Sequence, residues 1–206
     1  MKLRFAPIAL AALCALAAPA AFAQSKGTIT VGVGAHNVDP KSDNGTLTGG
    51  LNVNIGSSIR PTITGEYFLA DNIGLEVVAA LPFQHSINVD GVGKVGSTKQ
   101  LPPTFSLLFH APMGQKLRPF IGPSANYTLF FSKKTEGALA GTKLGLSNSF
   151  GLGVHGGLDF QLSDRSAIRV DARWIDINSK VKVNGSPMGE VEIDPLVYGV
   201  AYVFQL

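Results

Sequence analysis

The stretch "SFGLGVHGGLDFQLSDRSAIRVDARWIDI", Ser149 to Ile177, decides what kind of protein this is. Phe150, Leu152, Val154, Leu158, Phe160 and Leu162 fall on every second residue, with Gly156 the one interruption. Ser149, Gly151, Gly153, His155, Gly157, Asp159 and Gln161 lie between them. After the polar "SDR" the alternation restarts, with Ile168, Val170, Ala172 and Trp174 against Arg169, Asp171 and Arg173. Successive side chains of a strand point to opposite faces, so these are two strands with one apolar and one polar side. A soluble sandwich turns the apolar side inward; a membrane barrel turns it outward. The rest of the chain must choose.

The ends of the chain narrow the choice. Lys2 and Arg4 precede an apolar run from Phe5 to Ala18, and Ala21-Phe22-Ala23 is a small-x-small cleavage signature before Gln24. Residues 1–23 therefore read as a cleaved signal peptide, leaving 24–206 as one domain. The run is too short to serve comfortably as a membrane anchor. The single cysteine, Cys14, falls in this leader, so no disulfide or thiol chemistry is expected of the mature chain. The leader also takes two of the 17 basic residues and none of the 14 acidic ones, which brings the remainder close to neutral. No basic stretch is clustered enough to read as a nucleic-acid surface. Beyond the leader there is no helix-period stripe, and no apolar run approaches the roughly 18 residues of a membrane helix. Strands are the only way left to cross a membrane.

Eight alternating segments can be drawn, at about 27–38, 57–69, 73–84, 100–111, 117–131, 148–162, 166–178 and 195–206. Most have the ten or so residues that a tilted transmembrane strand requires. Short connections ("ADN" at 70–72, "PMGQK" at 112–116, "SDR" at 163–165) alternate strictly with long ones at about 39–56, 85–99, 132–147 and 179–194. An up-and-down barrel sorts its connections this way, short turns at one rim and long loops at the other. The fold class expected is all-β, an eight-stranded antiparallel up-and-down transmembrane β-barrel.

Charge then assigns the faces. In "IGLEVVAALPF" Glu76 is costly among lipid tails, so it points into the lumen together with Gly74, Val78, Ala80 and Pro82. Ile73, Leu75, Val77, Ala79, Leu81 and Phe83 are then expected outside. The same parity puts His155, Asp159, Arg169, Asp171 and Arg173 in the lumen, where charges can pair across a narrow bore. The last strand, "PLVYGVAYVFQL", carries Tyr198, Val200, Tyr202, Phe204 and Leu206 on one face. Tyr127, Phe130, Phe131, Trp174, Tyr198 and Tyr202 fall near strand ends, the place of an aromatic girdle.

The segments "ADNIGLEVVAALPFQHSI" (70–87), "LPPTFSLLFH" (101–110), "LRPFIGPSANYTLFF" (117–131), "NSFGLGVHGGLDFQLSDR" (148–165), "RWIDINSKVKVNG" (173–185) and "DPLVYGVAYVF" (194–204) are collinear with, and closely resemble, the outer-membrane protein W (OmpW) family. The resemblance spans nearly the whole mature chain and is weakest at about 36–57. It implies an eight-stranded monomeric barrel in the Gram-negative outer membrane, among lipid and lipopolysaccharide, delivered by the barrel-insertion machinery through its C-terminal strand. It also implies a narrow channel with an apolar lining toward the outside, used for uptake of small hydrophobic compounds with a lateral exit through the wall. The terminal "QL" displaces the family's usual final Phe by two residues, and the loops are this chain's own.

Several residues invite other chemistry. His36, His85, His110 and His155 have no H-x-H, H-E-x-x-H or Cys/His spacing, so no metal and no cofactor are expected. His85, Ser86 and Asp90 share a long loop and could converge as a nucleophile, base and carboxylate; a solvated loop accounts for them far better, since polar loops contain such residues by default, and no enzyme is expected. "VDGVGKVGSTK" (89–99) and "TEGALAGTK" (135–143) lack phosphate-loop spacing and read as flexible extracellular loops. Leu139, Leu144 and Leu146 are candidates for an apolar ligand funnel there, and Val78 and Ala80 for a constriction below it. Glu76, Asp159, Arg169, Asp171 and Arg173 read as a salt-bridged plug that blocks an aqueous pore. Pro102, Pro103, Pro119 and Pro123 lie in the fourth and fifth predicted strands and remove ladder donors. They mark either bulges that bend the barrel or a seam where those two strands part. The expected function is passive uptake of small hydrophobic molecules with lateral release into the membrane. The alternative is a closed structural or receptor barrel with adhesive or antigenic loops.

Overall fold

A computed structural model describes residues 24–113 and 116–206. The signal peptide expected at 1–23, and part of the 112–116 turn, lie outside the described residues. In chain order the strands are β1 (Ile29–Asp39), β2 (Thr46–Leu47), β3 (Leu51–Ile55), β4 (Ser58–Ala70) and β5 (Ile73–Ala80). They continue with β6 (Phe83–Val89), β7 (Gly93–Leu101), β8 (Thr104–His110), β9 (Leu117–Thr135) and β10 (Leu144–Leu146). The last five are β11 (Ser149–Ser163), β12 (Ser166–Ile175), β13 (Asn178–Val183), β14 (Ser186–Glu192) and β15 (Leu196–Gln205). A single 3-10 turn, Gly137–Leu139, follows β9.

Eight of these strands close a ring in the order β1-β4-β5-β8-β9-β11-β12-β15, with β15 pairing back onto β1. All the pairings are antiparallel, so the ring leaves no open edge. These eight are the eight segments read from the sequence, with ends shifted by a few residues. The opening question is answered by exposure: Leu152 is 63% exposed and Phe160 45%, whereas Glu76 and His155 are wholly buried. An apolar exterior around an ionic interior suits a barrel surrounded by hydrocarbon, where every backbone group is paired within the wall. Tyr127, Phe131, Trp174, Tyr198 and Tyr202 are on the outer surface, as an aromatic girdle requires.

Two aromatic residues depart from the expected faces. Phe83 is buried inside because β5 ends at Ala80 and the Leu81–Pro82 break reverses the parity before β6 begins. Phe130 is also inside: it shares the parity of Asn126 and Thr128 in β9, and Phe131 alone of the pair faces out.

The short turns and the long connections do sort to opposite rims. The long connections, however, are not loose loops. β9 outgrows the wall, and its upper half pairs with β7, which continues through β6 and β3 to β2. β10, β13 and β14 form a second small sheet. The β13–β14 hairpin turns through Asn184 (φ 50°) and Gly185 (φ 86°), the pair of left-handed residues that a type I′ turn requires. The two extensions close over an apolar cluster of Val53, Val89, Val95, Val181 and Val191. Alternation of valines with polar residues, as in "VKV" and "GEVE", is itself a strand signal. The outward side chains of β6 and β7 include Gln84, Ser86, Lys94 and Lys99, so this part stands above the lipid.

Candidate functional site

From the short-turn rim upward the lumen has three zones. Its floor is ionic. Arg169, projecting from β12, donates Nε–H to Asp159 Oδ1 at 2.7 Å, Nη1–H to Glu76 Oε2 at 2.5 Å and Nη2–H to Glu66 Oε2 at 3.2 Å. The guanidinium also lies 4.4 Å from the Phe120 ring centre, a cation–π contact. Gly157 makes room for that ring, since a Cβ there would come within 2.5 Å of Phe120 Cζ. His110 Nε2 is 2.6 Å from Glu66 Oε1, and its Nδ1 lies 3.0 Å from the Gln24 amide nitrogen, which brings the first of the described residues into the floor.

A second group adjoins the first through Glu76. Asp171 receives Arg173 Nη2–H at 2.9 Å, with His36 Nε2 at 2.9 Å and His155 Nε2 at 3.0 Å. Glu76 Oε1 lies 3.4 Å from His155 Nδ1 and 3.8 Å from Arg173 Nη2. All five lumen charges expected from the sequence thus meet in one network. Glu66, His36, His110 and His155 belong to it too. Glu66 was legible by the argument that found Glu76, for it shares the inward parity of Thr62 and Thr64 in β4. His36, His110 and His155 are spent on carboxylates, and among the described residues no cluster is arranged to hold a metal ion.

Above the ions the bore becomes apolar. Val38, Phe83, Phe130, Ile175, Ile193 and Val197 form one buried cluster, with Ala80 packed against it. Val78 and Ala80 border a void of about 30 Å³ at its lower side, next to His36 and Arg173. Above this layer the two sheet extensions enclose a cavity of about 180 Å³. Leu139, Leu144 and Leu146 all line it, beside Val53, Ile87 and Met188. The three funnel leucines are therefore brought together, by the 3-10 turn that carries Leu139 and by β10, which carries Leu144 and Leu146. His85 also lines this cavity, while Ser86, next along β6, lies on the opposite face in an outer polar groove. Asp90 is exposed and accepts a hydrogen bond from Asn54 Nδ2 at 2.7 Å. Strand alternation keeps His85, Ser86 and Asp90 apart.

The prolines divide into two pairs. Pro119 and Pro123 sit inside β9, paired in the ladder opposite Leu158 and Val154 of β11. The β8–β9 ladder lacks only the pairs at Leu107 and Leu108, and there the strands are close: a Cβ on Gly122 would collide with the Leu107 carbonyl. Pro102 and Pro103 interrupt the chain between β7 and β8. Across from them β5 pairs with β8 only up to Val78–Thr104, and β6–β7 pairing resumes at Phe83–Gln100. The wider break in the wall is thus between the third and fourth barrel strands, one seam away from the one expected; Pro82 lies on one side of it and Pro102 and Pro103 on the other, and none of the three has an amide donor. Ala80 and Pro102 border both this break and the void beneath the apolar layer.

Comparison with known proteins agrees with this architecture. The OmpW family model matches residues 25–206. Outer membrane protein W of Vibrio cholerae is 32% identical over 207 residues, covering 93% of this chain and 94% of that one. The crystal structure of OprG from Pseudomonas aeruginosa, 30% identical, superposes with a TM-score of 0.78 over 89% of this chain and 98% of its own. The solution structure of Escherichia coli outer membrane protein W, 25% identical, gives 0.65 over 88% and 99%. These relatives are outer-membrane proteins of Gram-negative bacteria, and the closed barrel with its lipid-facing exterior places this chain in the same membrane. A family model spanning residues 25–206, and a shared barrel from rim to rim, have one meaning: the chain belongs to the OmpW family.

Proposed function

We propose that this protein is a passive, monomeric channel by which small hydrophobic molecules cross the lipopolysaccharide-bearing outer leaflet. The observation that carries the reading is the stacking of an apolar cavity of about 180 Å³ over an ion-paired floor, with one packed apolar layer between them. A hydrophobic molecule gains by leaving water for the cavity. It then meets Val78, Ala80 and Phe83 as a constriction. It does not continue to the periplasmic rim, because passage would break buried ion pairs that have no other partner. The interrupted ladder between β5 and β8 is the way out, sideways into the bilayer. Uptake of this kind draws on no cofactor and no catalysis, and the relatives named above carry no enzyme names.

The test is uptake of a hydrophobic and an ionic solute by cells lacking the protein and by cells expressing it. Expression should speed the hydrophobic solute alone. A disulfide between Ala80→Cys and Pro102→Cys, in a barrel shown by its heat-modifiable mobility to be assembled, should stop uptake until it is reduced. Undiminished uptake with the bond intact overturns lateral release. If expression speeds neither solute, the channel reading fails and the closed receptor barrel takes its place.

A further inference from the structure

Two polar side chains stand in the wall of the apolar chamber with atoms that bond to nothing around them. His85 of β6 and Gln100 of β7 are each 1% exposed, and both line the cavity. His85 Nδ1 lies 2.7 Å from the Gly56 carbonyl oxygen, which can only accept, so Nδ1 carries the ring proton. Burial above all, and the Arg60 guanidinium in addition, hold the imidazole pKa below its ordinary value against the opposing pull of that bond. The ring is therefore neutral near pH 7 and Nε2 presents a lone pair. His85 Nε2 and the Gln100 amide nitrogen have no hydrogen-bond partner among the described residues. One accepts and the other donates.

Buried polar atoms are almost always satisfied, and a purely greasy chamber would be better built with Phe and Leu at these positions. Among the described residues, none of the side chains lining the cavity is charged. An ionised head group would thus lose its water and gain no counter-ion. A hydrocarbon would leave both polar atoms buried and idle.

We infer that the chamber is a binding site for neutral aliphatic alcohols, the hydroxyl oxygen accepting from the Gln100 amide while the hydroxyl proton is donated to His85 Nε2. This deepens the uptake reading and rests on it. The chain of the alcohol would lie among Val53, Leu139 and Leu144. The cavity is slightly larger than the roughly 150 Å³ dry cavity that accepts benzene, which suits a short to medium chain.

The probes are 1-octanol, n-octane and octanoate, partitioned between lipid nanodiscs with and without the full barrel. Wild type should bind 1-octanol about tenfold more tightly than n-octane, the effect of one to two net hydrogen bonds. The alcohol should also shift the ¹⁵N resonance of His85 Nε2. The variant His85→Phe/Gln100→Leu should keep n-octane binding and lose the preference. Should that pair fail to assemble, Gln100→Met alone reads the same preference. Equal binding of alcohol and alkane, or tighter binding of octanoate, overturns the inference and leaves hydrophobic uptake standing. No saturable binding of any probe overturns the uptake reading itself.

Discussion

Arg169 and Glu76, 93 residues apart, meet at 2.5 Å across the full width of the barrel, from strands that lie four places apart in either direction around the ring. The same guanidinium holds Glu66 and Asp159. Replacing it leaves three buried carboxylates without their cation, and loss of one partner of a buried pair costs about 3–5 kcal/mol. Arg169→Met is expected to lower the urea midpoint of the micellar barrel by at least that order. Arg169→Lys should recover only part of the loss, since an ammonium cannot serve three carboxylates in a planar fork.

The floor also depends on a glycine. A side chain at Gly157 would press on Phe120 Cζ at 2.5 Å and on the Val170 carbonyl at 2.6 Å, and the second of these is backbone that cannot swing away. Gly157→Val is expected to destabilise by about 1–3 kcal/mol through overpacking. Its unfolding midpoint, compared with that of Gly65→Val, is the check; Gly65 has nothing within 4 Å of an added Cβ.

Restoring a missing ladder donor should close the proposed exit. Pro102→Val/Pro103→Thr restores one amide N–H, that of residue 102, on the side of 79–82; residue 103 turns its backbone groups to β9, where the Pro103 carbonyl accepts from the Tyr127 N–H at 3.1 Å. Backbone amide exchange in 101–103 is expected to slow, and hydrophobic uptake to fall several-fold with the barrel intact. Slower exchange with unchanged uptake would move the exit elsewhere.

The chamber should be sensitive to acid. Burial lowers the His85 pKa, so the folded state favours the neutral ring. The sign follows from linkage: the stability that His85 contributes is complete above the ordinary imidazole value of about 6.5 and is lost as pH falls through the lowered folded value. Amide protection in Phe83–Val89, corrected for the intrinsic slowing of exchange in acid, is expected to fall as pH drops below about 6.5. His85→Phe should flatten that response.

The sequence by itself determined the wall. Its period-two alternation, and the strict alternation of short with long connections, fixed eight strands and their direction, because both are local properties of the chain. Glu76 then sufficed to say which face was inside, since a charge in hydrocarbon has no cheap alternative. Where parity ran unbroken, as through Asp159, Arg169, Asp171 and Arg173, every lumen charge was placed correctly. Tertiary structure decided what alternation does not carry across a break. Leu81–Pro82 reversed the face of Phe83, and only the register between strands shows that the ladder stops at Val78–Thr104 and resumes at Phe83–Gln100, with Pro82 and Pro102–Pro103 in the gap. Of the extracellular chamber the sequence offered the funnel leucines, Leu139, Leu144 and Leu146, but not His85 and Gln100 beside them. The two groups are distant along the chain, and their meeting depends on sheets that form only when β9 outgrows the wall and offers them an edge.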